Sequence, residues 1–185
     1  MPRLFTALEI PAEIGESLAR LRGGIFGARW IDVENYHLTL RFIGDVDDRV
    51  AHDVEHSLHA IRRVGPVVTL DQLTAFGNEK PRAIVVKARL EPALLELQAD
   101  QERLMRRLGA APEARKFAPH VTLARLRGAS PMAVADYLGA RGYFPSLKFS
   151  PTRFVLYSSR NSVGGGPYVV EAAYPFVARR QEAVA

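Results

Sequence analysis

The chain contains no cysteine in 185 residues. Disulfides and thiolate metal sites are therefore excluded, and a reducing compartment suits such a composition. Long apolar runs are also missing, so no segment reads as a membrane span. The opening MPRLFTALEIPAEIGE has neither the basic start nor the apolar stretch of a signal peptide. A cytoplasmic protein that does not enter a membrane is the expectation. There is no glycine-rich phosphate loop of the G-x-x-x-x-G-K type, which argues against nucleoside triphosphate use and an ATP-driven ligase. Lysine is scarce too. Of 25 basic residues, 4 are lysine and 21 arginine.

What is present is ordinary in bulk. The hydrophobic fraction of 48% and charged fraction of 24% suit one soluble globular domain, or two small lobes sharing a core. The formal net charge is +5, and arginine's planar fork matches phosphate oxygens. Biased codon usage would give the same arginine count. The charge supports an anionic partner without establishing one.

Two short stretches carry more. His37-Leu38-Thr39-Leu40 is followed, 83 residues later (120 − 37), by His120-Val121-Thr122-Leu123. On a β-strand, residues i and i+2 share a face. Each copy therefore aims one imidazole and one hydroxyl the same way. Two such strands facing each other would surround a cleft with two imidazoles and two hydroxyls. An imidazole titrates near neutrality, so one His can accept a proton while the other donates one. The hydroxyls of Thr39 and Thr122 can donate to phosphoryl oxygens as charge builds. A lone His-x-Thr would read as a structural histidine beside a β-branched strand former; the doubled motif does not.

The motif belongs to a longer duplication. Leu4-Phe5-Thr6-Ala7-Leu8-Glu9-Ile10-Pro11 aligns with Val85-Val86-Lys87-Ala88-Arg89-Leu90-Glu91-Pro92. Each run reads as a strand ending in an acid and a proline. A helical pattern then follows, proline being a common first helical residue. Residues 45–61 and 130–140 read as helices. Residues 67–76, 82–89, 147–157 and 168–177 read as strands. The loop 158–167 reads as a hairpin connection, although Asn161, Ser162 and the glycines Gly164, Gly165 and Gly166 could form an anion nest. Strands joined by short loops favour antiparallel pairing with helices on one face. The predicted architecture is α+β and bilobal. Two pseudo-symmetric halves, about 3–89 and 82–178 of a single domain spanning 1–185, each carry an antiparallel sheet with helices outside. The two motifs line the central cleft.

These features resemble the two-histidine phosphoesterases, and within them the bacterial RNA 2′,3′-cyclic phosphodiesterases, also called 2′-5′ RNA ligases. The likeness runs through RLFTALEIP, RWIDVENYHLTLRFIGDVD, FAPHVTLARLR and FVLYSSRNSVGGGPYVV. It implies a bilobal fold with a basic cleft. It implies metal-independent, cofactor-free opening of a terminal 2′,3′-cyclic phosphate on RNA to a 2′-phosphate, with reverse joining to a 5′-hydroxyl in some members. It also implies roles: His37 as proton donor to the 3′ oxygen and His120 as proton acceptor from water. By the residues alone this order stays open. One departure is visible. Members often carry Phe-Pro after the third strand and an aromatic in the next one, where this chain has Phe76-Gly77 and Val85-Val86.

Further contacts are expected around the motifs. Arg125 matches an arginine common in the family. Strand parity nevertheless puts position i+5 on the face away from His120, unless the strand ends or bulges there. Arg41 has the right parity beside Thr39 and is the second candidate. Phe76 and Tyr157 end equivalent strands, and one of them at the cleft mouth could stack a terminal base; Phe76 is preferred. His52, His56 and His59 share a helix face with Asp48 one turn earlier, a spacing open to zinc or nickel. A solvated face is the expected reading, and no metal is predicted. The expected partner is RNA with a 2′,3′-cyclic end, bound by a monomer. Two alternatives use the same residues: a phosphodiesterase for a small cyclic nucleotide or a 2′-5′ linkage, and a non-catalytic RNA-binding module.

Overall fold

The computed structural model describes residues 2–141, 143–159 and 166–178. In chain order the elements are β1 (Arg3–Glu9), α1 (Ala12–Ala19), β2 (Ala28–Trp30), β3 (His37–Asp45), α2 (Asp48–Leu58), β4 (Val68–Phe76), β5 (Ala83–Ala88), α3 (Pro92–Arg107), β6 (His120–Leu126), α4 (Pro131–Arg141), β7 (Leu147–Phe149), β8 (Arg153–Ser158) and β9 (Val169–Pro175). A single 3₁₀ turn at Val33–Asn35 leads into β3. Local chemistry sets the helix starts. Asp47 caps α2 by accepting from the Val50 amide at 2.8 Å, and Pro92 opens α3. Along α3, Leu94, Leu97, Gln101, Leu104 and Met105 are buried, the stripe that 3.6-residue periodicity places against a sheet.

The strands pair antiparallel in the order β7-β4-β5-β6-β3-β1-β8-β9, and β2 adds to β6 on the same edge as β3. The two motif strands touch through one residue pair, Leu38 with Val121. The sheet turns there into two lobes. One holds β3, β1, β8 and β9, the other β6, β5, β4 and β7. The two halves of the sequence are interlaced between them. Strand β4, from the first half, completes the lobe of the second motif. Strands β8 and β9, from the second half, complete the lobe of the first.

Residues 147–157, read from the sequence as one strand, are two. The chain breaks at Ser150-Pro151-Thr152, because proline supplies no amide hydrogen to a ladder. Strand β7 pairs with β4 in one lobe and β8 with β1 in the other. The break is the crossing between lobes. Of the loop read as a hairpin connection, Asn161, Ser162, Gly164 and Gly165 lie outside the described residues.

The main core lies between the sheet and the helices, where Leu8, Leu18, Leu38, Leu58, Ile84, Leu94, Val121 and Leu123 are fully buried. A second, smaller cluster sits on the opposite face of the first lobe. It contains Phe5, Ala7, Val155 and Tyr157, with Tyr168 and Ala173 packed against it. Among the described residues no helix is long and apolar enough to cross a membrane.

Candidate active site

The register at the lobe junction arranges the motifs. In an antiparallel ladder the residues flanking Leu38 and Val121 face each other crosswise. His37 therefore lies beside Thr122 and Thr39 beside His120, all on the face away from the main core. Leu38 and Val121, pointing the other way, are fully buried and anchor the arrangement.

The two imidazoles are held alike. His37 Nδ1 lies 2.8 Å from the Asn35 carbonyl oxygen, and His120 Nδ1 lies 2.6 Å from that of Ala118. A carbonyl only accepts, so each Nδ1 carries the hydrogen and donates it. Each Nε2 is left for chemistry. Asn35 is itself wedged: its side chain packs so closely on Gly166 that no Cβ would fit there.

Their surroundings differ. His37 is enclosed by Phe5 at 5.0 Å, Tyr168 at 5.0 Å edge-on and Tyr157 at 5.9 Å between ring centroids. Burial in this aromatic collar pushes its pKa down from 6.5 to about 4; the Asn35 carbonyl opposes this, while His120 and Arg125 add to it. His120 stands edge-on to Phe76 at 4.7 Å, and Lys87 is its direct cross-strand neighbour. Burial lowers the His120 pKa first, the Ala118 carbonyl opposes it, and the charges of Arg125 and Lys87 lower it further. Both rings are thus biased towards the neutral form.

A β-bulge in each motif strand decides which arginine serves the cleft. In β6, Thr122 pairs with Val85 but Ala124 pairs with Ile84. Leu123 is the extra residue, so Leu123 and Ala124 are both buried in succession. Parity flips, and Arg125 returns to the histidine face. In β3, Thr39 pairs with Ala7 and Arg41 with Thr6, so the flip falls at Leu40. It takes Arg41 away from the cleft. The expectation that Arg41 touches substrate is corrected. The side chain is 5% exposed, donates to Glu102 and the Ala111 carbonyl at 2.5 Å each and to the Phe42 carbonyl, and lies 3.9 Å from Glu113. The residue that shares the position of Arg125 is Phe42, 45% exposed.

The two aromatic candidates also part. Phe76 ends β4 against His120, with the Lys87 ammonium 5.9 Å over its ring. Gly77 follows at φ 87, a conformation closed to proline. The Phe-Gly pair thus makes a turn that Phe-Pro could not make. Tyr157 is a second correction. It is buried, not at the mouth, and burial pushes its phenol up to about 12. Its part is to wall His37. Sequence reasoning gave no role to Lys87, Phe5 or Tyr168. For Lys87 the signal was available, since an isolated cation sits inside the apolar run 83–88. His52, His56 and His59 are exposed, with His59 edge-on to Tyr174 at 4.8 Å. Among the described residues no group of three His, Cys, Asp or Glu is placed to hold a metal ion.

Two imidazoles and two hydroxyls crosswise at a lobe junction, in an α+β fold of two repeats, define a two-histidine phosphoesterase. Comparison with known proteins narrows this. The chain matches the LigT like Phosphoesterase family twice, over residues 8–87 and 86–168, and it belongs to that family. It is 38% identical over 118 residues to the RNA 2′,3′-cyclic phosphodiesterase of Aeropyrum pernix, covering 60% of this chain and 67% of that protein. It is 30% identical over 170 residues to the enzyme of the same name from Escherichia coli K12, covering 90% and 92%. The crystal structure of E. coli LigT complexed with 3′-AMP matches with a TM-score of 0.76 at 27% identity, over 96% of this chain and 100% of that one.

Proposed function

We propose that this enzyme opens the 2′,3′-cyclic phosphate at the 3′ end of RNA and leaves a 2′-phosphomonoester. The crosswise set His37, Thr39, His120 and Thr122 is the observation that carries the reading. The names of the A. pernix and E. coli relatives support RNA as the substrate.

The cyclic phosphate sits between the two Nε2 atoms. His120 Nε2 takes a proton from water as the water oxygen bonds to phosphorus. The bond from phosphorus to the 3′ oxygen breaks, and His37 Nε2–H gives that oxygen its proton. Thr39 and Thr122 donate to the non-bridging oxygens, whose charge grows in the pentacovalent transition state. Arg125 balances the same charge. Afterwards His120 is protonated and His37 neutral, and exchange with solvent restores the starting state. The order of donor and acceptor rests on the family resemblance. The collar favours the neutral form of His37. The anionic phosphate supplies what the imidazolium lacks there, so the acid becomes charged as substrate arrives. No metal enters this scheme. With a 5′-hydroxyl in place of water as the attacking group, the same steps form a 2′-5′ linkage; run backwards, they break that linkage and close the ring.

The test uses a short RNA ending in a 2′,3′-cyclic phosphate, with excess chelator, followed by phosphorus NMR. The expected product is the 2′-phosphate, made at the same rate with and without chelator. His37→Ala and His120→Ala should each slow turnover by roughly 10²–10⁴-fold, the usual scale for a general acid or base. A wild-type protein that binds the RNA and leaves the ring closed would sink the proposal.

A further inference from the structure

The catalytic set accounts for one phosphate. A second cationic position lies one strand further out. Beyond Val121, on the side where β3 begins, the short strand β2 takes over the edge of β6, and Arg29 pairs directly opposite Arg125. Directly opposed residues of an antiparallel pair share a face. Arg29 thus stands on the same face as His120, Thr122 and Arg125, and it is exposed. Its neighbours Ala28 and Trp30 point the other way, and Trp30 packs on Tyr137 of α4 at 5.8 Å. That packing fixes the strand and leaves Arg29 outward.

The turn before β2 adds an aromatic. Phe26 is 99% exposed between Ile25, which is 8% exposed, and Gly27. Gly27 has φ 77, and a Cβ on it would come within 2.9 Å of the Arg127 carbonyl oxygen. The backbone is thus clamped to the end of β6 on one side of Phe26 and anchored in the core on the other. Phe26 stands three residues before Arg29, and an aromatic ring with a cation is the combination that binds single-stranded nucleic acid, base on ring and phosphate on guanidinium.

We infer that the β2 edge, through Arg29 and with Phe26 in the turn that precedes it, binds the nucleotide on the 5′ side of the reacting end. This rests on the cyclic phosphodiesterase reading and deepens it, for it makes an RNA chain the preferred substrate over a cyclic mononucleotide. The charge of Arg125 acts on both catalytic imidazoles, which places Arg125 at the reacting phosphate; Arg29, opposite it on the next strand, is placed for the next diester. A mononucleotide has no diester to offer Arg29. An RNA of three or more nucleotides does.

The experiment compares kcat/KM for adenosine 2′,3′-cyclic phosphate and for a trinucleotide with the same end, in wild type, Arg29→Ala, Arg29→Lys and Phe26→Ala. Arg62→Ala, which removes an exposed charge in the loop after α2, controls for net charge. The wild type should prefer the trinucleotide. Arg29→Ala should lower that preference about tenfold, mainly through KM, with Arg29→Lys in between and Arg62→Ala unchanged. Phe26→Ala should lower it several-fold. Alongside, binding of an RNA ending in an ordinary 3′-phosphate is followed by anisotropy against salt. Arg29→Ala should reduce the slope of log affinity on log salt by about 0.7, one single-strand phosphate contact. Equal loss on both substrates, or an unchanged salt slope, overturns the inference. If wild type cleaves neither substrate, the phosphodiesterase reading fails by itself, and the salt slope still decides whether Arg29 holds RNA.

Discussion

The two lobes present the same frame with opposite surroundings. Each offers a histidine held by the carbonyl two residues before it, a threonine two residues after, and a bulge beyond. The residue paired across from His37 is Glu9, and the one across from His120 is Lys87. Glu9 is spent on Arg153, which donates to its two oxygens at 2.7 and 3.0 Å. Lys87 instead stands over the Phe76 ring at 5.9 Å, beside His120. Five residues past each histidine stand Phe42 and Arg125. The first lobe is therefore apolar around its imidazole, the second cationic. The frame is symmetric and its walls are not, so the two imidazoles stand in different electrostatic surroundings.

The comparison breaks most sharply at the two arginines. Arg41→Met removes one member of a buried ion network and leaves Glu102 and Glu113 without it. It should cost about 3 kcal/mol of stability, read as a lower midpoint in urea, with kcat unchanged in the folded fraction. Arg125→Met should do the reverse. The urea midpoint stays, and kcat/KM falls about tenfold to a hundredfold. Equal effects on stability from the two would contradict the assigned faces.

His37 gives the next effect. Its pKa is about 4 folded against about 6.5 unfolded. Between those values the unfolded chain binds more protons, so stability falls as pH drops through that window and is fully retained above it. The loss should be on the order of 2 kcal/mol, reduced by any water reaching the ring. Urea titrations across pH 4 to 7 should show His37→Gln with a flatter dependence than wild type.

The smallest effect concerns Lys87. Its charge lowers the His120 pKa, so Lys87→Met should move the acidic limb of the pH profile of kcat/KM to higher pH. The His37 titration, followed by NMR, should move far less. A shift of both would mean that the lobes share one field.

The sequence made the frame legible because period-2 alternation and the doubled motif are local. The sides taken by Arg41 and Arg125 were hidden, since a bulge depends on the partner strand. Nothing in Leu40-Arg41 or Leu123-Ala124 marks the extra residue without Thr6 or Ile84 opposite. Arg125 was reached through resemblance against its apparent parity, and the bulge removes that conflict. The collar around His37 was equally hidden. Phe5 and Tyr168 are far apart in the chain and meet through the interlacing of β1 with β8. The break at Pro151 could have been read from the proline itself.

The exchange of β4 and β8 between lobes has a consequence for how such an active site can become asymmetric. A half-length chain could build the same frame as a strand-swapped twofold dimer, each copy giving one histidine and one threonine. Such a dimer must show identical neighbours to both imidazoles. Joining the copies in one polypeptide lifts that constraint. Glutamate can then stand opposite one histidine and lysine opposite the other, and a twofold scaffold can hold two chemically different poles.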